Sequence, residues 1–166
     1  EKGSKRSLVT VVSRLVGQKQ IDILATILRD IQNGSKSDLG FDLLILGSGE
    51  ERLEEELAAV VQSYTAGRAV FVRGYSERLS HMMYAGADIL LVPSDYEPSG
   101  LTQMIGMRFV VIVIARKTGG LADTVIEHGE IPTGFIFEGV NRTFVNPQEY
   151  DERKIINANE LYDAMV

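Results

Sequence analysis

The chain has no cysteine, which excludes disulfides and any thiolate-bound metal. No apolar run approaches membrane-spanning length, and the N-terminus lacks a secretory signal pattern. Basic residues are in deficit: 17 Lys and Arg stand against 23 Asp and Glu, for a net charge of −6 and a pI near 5.0. That balance argues against a general nucleic-acid or membrane surface, while leaving room for a local basic pocket. There is no internal repeat and no His/Asp cluster of the kind that holds a metal. The first six residues are polar and the chain starts without Met, the pattern of a piece cut from a longer protein. An intracellular location is the default expectation.

What is present suits one folded unit. With 166 residues, 45% hydrophobic and 24% charged, the chain can build one good core and is too short for two full domains. Runs of β-formers alternate with helical patterns roughly six times. The expected strands are Ser7 to Ser13, Phe41 to Leu46, Ala69 to Val72, Ile89 to Val92, Phe109 to Ala115 and Thr133 to Phe137. Between them, helices are expected from Ile21 to Ile31, Glu50 to Tyr64, Glu77 to Ala85, Gly100 to Arg108 and Leu121 to His128. The run Phe109 to Ala115 is aliphatic enough to predict a buried strand throughout. A last helix, carrying Ile155, Ala158, Leu161, Tyr162 and Met165, follows a polar stretch. The expected fold is an α/β, Rossmann-like parallel sheet of about six strands with helices on both faces. Its core spans about residues 8 to 137, within one domain of residues 1–166. Asn141-Arg142-Thr143 matches a glycosylation sequon, and without a secretory signal it reads as ordinary loop.

In such a sheet, ligands bind at the carboxyl ends of the strands, so the loops that follow strands are the places to look. Asp88 to Thr102 is the most informative stretch. A strand stops at Pro93-Ser94, Glu97-Pro98-Ser99-Gly100 turns, and a helix begins at Leu101. One carboxylate thus sits at a strand end, before a helix whose first free N–H groups favour phosphate. A lone Glu97 is not the carboxylate pair of a glycosidase. Arg14 and Lys19, in the loop after the first strand, are either solvated cations or a pair aimed into the crevice. Gly47-Ser48-Gly49 lacks the rest of a dinucleotide or P-loop fingerprint and reads as a turn bordering a ligand. Tyr75 follows Gly74 at a strand end, where its flat face suits stacking. His81 reads as a helix-surface residue, Asp88 as a structural turn, and Gly119-Gly120 as a close backbone approach.

Three motifs carry a resemblance. They are Val12-Ser13-Arg14-Leu15-x-x-Gln18-Lys19, Glu97-Pro98-Ser99-Gly100-Leu101 after Val92-Pro93-Ser94, and Thr118-Gly119-Gly120-Leu121-Ala122-Asp123-Thr124. In this order, over about residues 8 to 137, the chain resembles the starch synthases and bacterial glycogen synthases. The resemblance implies the C-terminal, donor-binding half of a GT-B glycosyltransferase. It implies transfer of glucose from ADP-glucose to the non-reducing end of an α-1,4-glucan, with retained anomeric configuration. Arg14 and Lys19 would contact the donor's phosphates and Tyr75 would stack on adenine. Glu97 would orient the glucose and stabilise positive charge at its ring. The backbone N–H groups of Gly100, Leu101 and Thr102 would meet the β-phosphate, with Ser99, Thr118, Gly119 and Gly120 along the cleft and Arg116 or Lys117 within reach of substrate. No metal or other cofactor is implied. The partners implied are the nucleotide-sugar donor, the glucan acceptor and an N-terminal GT-B domain outside this chain, with no nucleic acid and no membrane. The compartment implied is a plastid stroma or a bacterial cytoplasm. Alone, the chain is expected to bind nucleotide weakly and not to turn over.

The sequence departs from the family pattern in places. Gln20 stands where Gly usually follows the Lys, Val110 where Gly closes a helix, and Val113 where Pro lies in the next strand. The two valines are expected to make that strand more continuous. Two rival readings remain: a related GT-B enzyme using UDP-glucose or a sucrose-synthase-like acceptor, and a non-catalytic nucleotide- or glucan-binding α/β module. Convergence of Arg14, Lys19 and Glu97 in one cleft separates the second from an enzyme.

Overall fold

A computed structural model describes residues 6–140 and 146–166; the sequon at 141–143 lies outside them. The strands are β1 (Ser7–Val12), β2 (Phe41–Gly47), β3 (Arg68–Arg73), β4 (Ile89–Val92), β5 (Ile112–Arg116) and β6 (Gly134–Phe137). They form one sheet in the order β3-β2-β1-β4-β5-β6. Every pairing is parallel. From β1 the chain winds outward one way through β2 and β3, and from β4 the other way through β5 and β6. The reversal falls between β1 and β4, the switch point at which doubly wound sheets hold ligands.

Helices α1 (Asp22–Gln32), α2 (Glu51–Ser63) and α6 (Pro147–Met165) share one core with the sheet. On the other face lie α3 (Glu77–Gly86), α4 (Thr102–Arg108) and α5 (Gly119–Thr124). Alternation along the strands divides the labour: Leu91 and Ile114 join the first core, Leu90 and Val113 the second. The central strands read as unbroken aliphatics because both their faces are covered. Edge strand β3 alternates instead, and arginines bound it at each end, which discourages pairing with another chain.

Helix α6 starts at a clear signal. The Asn146 side chain accepts a hydrogen bond from the Glu149 N–H, and Pro147 occupies the first turn. Its Ala158 and Leu161 are buried against the core, whereas Ile155 faces outward, contrary to the expected inward stripe. The helix is fastened by Tyr150 Oη to Asp22 Oδ2 at 2.6 Å and by Lys154 Nζ to Glu56 Oε1 at 2.9 Å.

One expected element is corrected. The strand predicted from Phe109 begins only at Ile112. The preceding residues close α4 instead: Val110 N–H donates to Met107 O at 3.0 Å and Val111 N–H to Gly106 O at 3.1 Å, the Schellman pattern. Val110 takes the left-handed position, with φ +64°, and is 91% exposed. It therefore ends a helix rather than extending a strand, with the geometry that glycine adopts most cheaply. Val113 does lie inside β5, fully buried. Helix α5 is also shorter than expected, ending at Thr124.

Candidate functional site

The parallel sheet puts all six carboxyl ends on one edge, so the loops after the strands become neighbours. The β1 and β2 loops run on together past the strands: Leu15 N–H donates to Ser48 O at 2.9 Å and Glu50 N–H to Leu15 O at 2.7 Å. A Cβ on Gly47 or Gly49 would collide with the carbonyl of Ser13 or Leu15. These glycines are therefore explained by backbone proximity.

Two groupings of side chains result. In the first, Lys19 donates to Glu97 Oε2, and the Ser94 hydroxyl donates to the same oxygen at 3.3 Å. Both charged side chains are more than four-fifths buried. Glu97 is held from behind by its own backbone: the Gly120 N–H donates to the Glu97 carbonyl at 2.8 Å. A Cβ at Gly119 would strike that carbonyl, and one at Gly120 would strike Ser99. The Gly119-Gly120 pair is thus the close approach expected from the sequence, made against the turn that bears Glu97. Gly100 turns that loop with φ +71°, and the buried Gln103 amide donates to Ser99 O at 2.8 Å.

The second grouping is a cleft of about 380 Å³ lined in part by Arg14, Ser48, Tyr75, His81, Tyr84 and Thr102. Arg14 is exposed and its side chain has no ion-pair or hydrogen-bond partner among the described residues. Tyr75 is 79% exposed. Burial pushes the Tyr84 hydroxyl up from its ordinary pKa, although a hydrogen bond with Thr102 opposes the shift. His81 sits at the α3 surface with Nδ1 2.8 Å from the Glu77 carbonyl. The two groupings share their loops: Arg14 and Lys19 flank one, and Glu97 and Thr102 the other. Leu101 and Ser99 are exposed beside them, and Thr118 occupies the N-cap position of α5 without a side-chain capping bond. The Asp88 carboxylate accepts from the Leu8 N–H at 2.7 Å, a structural tie at the other end of β4. A larger cleft, about 490 Å³, also lies at that far edge, lined by Met107, Val110, Ile112, Ile131 and Phe135 among others.

Sequence reasoning missed the scaffold under Lys19 and Glu97. Arg116, 2% exposed, donates through Nη1 to Asp95 O at 2.7 Å and Asp95 Oδ1 at 2.8 Å. Arg116 is thus engaged with Asp95, and Lys117 is drawn to Glu138 at 2.7 Å. Gln18 and Asp95 join the β1 and β4 loops, since Asp95 N–H donates to Gln18 O at 2.8 Å and Gln18 Nε2 to Tyr96 O at 2.7 Å. Gln20 is fully buried with φ +52°, a conformation that costs a non-glycine residue about 1–2 kcal/mol. No group of three or more His, Asp or Glu side chains among the described residues is placed to hold a metal ion. Nor is any described helix long and apolar enough to cross a membrane.

The chain as a whole, rather than this arrangement in particular, is similar to several known proteins. A glycogen synthase of Pasteurella multocida is 42% identical over 141 residues, covering 81% of this chain and 28% of its own. Glycogen synthase 1 of Rhizobium meliloti is 44% identical over 133 residues, covering 76% of this chain and 26% of its own. Among solved structures, the catalytic domain of starch synthase IV from Arabidopsis thaliana, bound to ADP and acarbose, superposes with a TM-score of 0.68. It is 33% identical and covers 99% of this chain and 34% of its own. The chain therefore spans between a quarter and a third of the length of these relatives. The model of the family "Glycosyl transferases group 1" matches residues 1–145. The fold, the shared sequence and that match agree: the chain belongs to the group 1 glycosyl transferases, with the Rossmann-like architecture of their GT-B members.

Proposed function

We propose that this chain is the donor-binding part of a retaining glucosyltransferase that moves glucose from ADP-glucose to the non-reducing end of an α-1,4-glucan. The observation that carries the reading is the Lys19–Glu97 pair at the sheet's switch point, in a chain 42% identical to a glycogen synthase. The Tyr75 ring takes the adenine and the free Arg14 guanidinium meets the diphosphate in the adjoining cleft. As the C1–O bond to ADP breaks, negative charge grows on the β-phosphate. Lys19, Arg14 and the first N–H groups after Gly100 stabilise it without reorganising, commonly a large term in catalysis. Glu97 orients the sugar and faces the positive charge developing at its ring. Ser99, Thr118, Gly119 and Gly120 shape the cleft floor. The acceptor hydroxyl attacks from the face that ADP leaves, and its proton passes to the departing phosphate oxygen. The acceptor site and the second half of the constellation belong to an N-terminal GT-B domain outside this chain. On this reading residues 1–166 form one domain, and the compartment is a bacterial cytoplasm or a plastid stroma.

The test is an NMR titration of the labelled chain with ADP, ADP-glucose and UDP-glucose. The expected result is shifts at Arg14, Lys19, Tyr75 and Gly100 to Thr102 with both adenine ligands, and weaker ones with UDP-glucose. Shifts favouring UDP-glucose overturn the donor assignment, and silence at millimolar nucleotide overturns nucleotide binding by this chain. Measurable glucan elongation by the 166 residues alone would contradict the need for a second domain.

A further inference from the structure

The strained residue next to Lys19 has a use for its side chain. Gln20 is wholly buried in the left-handed region, where glycine would sit without cost. Both ends of its amide are bonded. Nε2 donates to Asp95 Oδ1 at 3.1 Å, and Oε1 accepts from Asn157 Nδ2 at 3.1 Å. Asn157 is fully buried in α6 and is itself fixed by Val140: its Oδ1 accepts from the Val140 N–H at 2.6 Å, and its Nδ2 donates to the Val140 carbonyl at 3.0 Å. Asp95 in turn is gripped by Arg116. A buried polar chain thus runs from α6 through Gln20 to the β4 loop, satisfied at the Gln20 amide and at both amide atoms of Asn157. It passes between the residues on either side: Lys19 precedes Gln20, and Glu97 lies two residues beyond Asp95. Strain retained at such a site points to a role in the site itself.

We infer that Gln20 and Asn157 are positioning residues: they hold Lys19 against Glu97 by tying the β1 and β4 loops to α6. Neither touches a ligand; they act by fixing the direction from which the ammonium and the carboxylate face the cleft. The catalytic consequence rests on the proposed function, whereas the tie itself is a property of the ligand-free chain, so the two can fail separately.

Three variants test it. Gln20→Gly keeps the left-handed backbone and removes the side chain, so it is expected to fold. Asn157→Ala cuts the tie from the other end, and the double variant closes a cycle. The first readout is amide hydrogen exchange of the ligand-free chain. Faster exchange at Asp95, whose N–H bonds Gln18, is expected in both single variants, with no further gain in the double. Unchanged exchange at Asp95 in both single variants, or fully additive effects, overturns the tie. The second readout is kinetics of the full-length enzyme containing this chain, with ADP-glucose as donor. Misplacement of the pair lowers kcat by roughly tenfold to a hundredfold, with KM for the donor within about twofold and the melting temperature nearly unchanged. A lower melting temperature with kcat intact assigns Gln20 a stabilising role only and overturns the inference. If the wild-type enzyme does not use ADP-glucose, the functional reading fails, and the exchange result still decides the tie.

Discussion

The two halves of the site are built on opposite principles, although they share the same loops. Lys19 and Glu97 are buried, paired and braced through Asp95, Gln20, Arg116 and Asn157. Arg14 and Tyr75 are exposed, and among the described residues no ion pair or hydrogen bond holds their side chains. The braced half has its ordering cost met during folding, so its charges need little reorganisation when charge develops. On the proposed function, the open half must still lose side-chain freedom when nucleotide binds, which lowers affinity and leaves it tolerant of ligand shape. Rigidity here accompanies proposed chemistry, and freedom accompanies proposed recognition.

Breaking the braced half has the largest expected effect. Lys19→Ala in the full-length enzyme removes a preorganised cation and lowers kcat by about 10²- to 10³-fold; steady-state kinetics with ADP-glucose measure it. Unchanged kcat would erase the distinction between the halves. Next comes the open half, where Tyr75→Ala forfeits base stacking worth about 1–3 kcal/mol, or roughly 5- to 150-fold in ADP affinity. Calorimetric titration reads that loss, and the melting temperature stays in place because the ring is exposed. Val110→Gly, at the far edge of the sheet, is the control for both. Relief of the left-handed valine stabilises by about 1 kcal/mol, raising the melting temperature by about 2–4 °C without altering nucleotide affinity. The mildest effect comes from acid. Burial pushes the Glu56 carboxyl up, but Lys154 and Arg29 outweigh it and hold its pKa below the ordinary value. A depressed carboxylate stabilises the fold above its unfolded pKa, about 4.3, and that contribution is lost as pH falls through the folded value. Glu56→Gln therefore flattens the decline in urea stability over that acid window, and an unchanged slope would remove Glu56 from the support of α6.

Periodicity made most of the fold legible. β4 falls on the four residues expected, Ile89–Val92, because a strand covered on both faces has no choice but to be aliphatic. The same rule misled at Phe109 to Val111, since an exposed helix end made of apolar residues looks like a strand start. Only the sign of φ separates them, and side-chain chemistry does not report it for valine. In the candidate site, Arg14, Lys19, Tyr75 and Glu97 became candidates because loops after parallel strands must share an edge, and for Arg14 and Lys19 it was the family resemblance that favoured a ligand role over solvated cations. Asp95, Gln20 and Asn157 did not. Each is an ordinary polar residue whose burial depends on partners far away in sequence, and nothing local distinguishes it from a solvated one. Gln20 did carry one signal, a glutamine at a position where the resembling family has glycine.

The Gln20–Asn157 bond also sets an order of events during synthesis. Its partners are 137 residues apart. At about 5–20 residues per second, roughly 7 to 27 seconds separate translation of the two residues. Throughout that interval Lys19 and its loop are already made, yet the bond that braces them has no second partner. A nascent chain halted before α6 would carry every charged group proposed for the site and lack the frame that aims two of them.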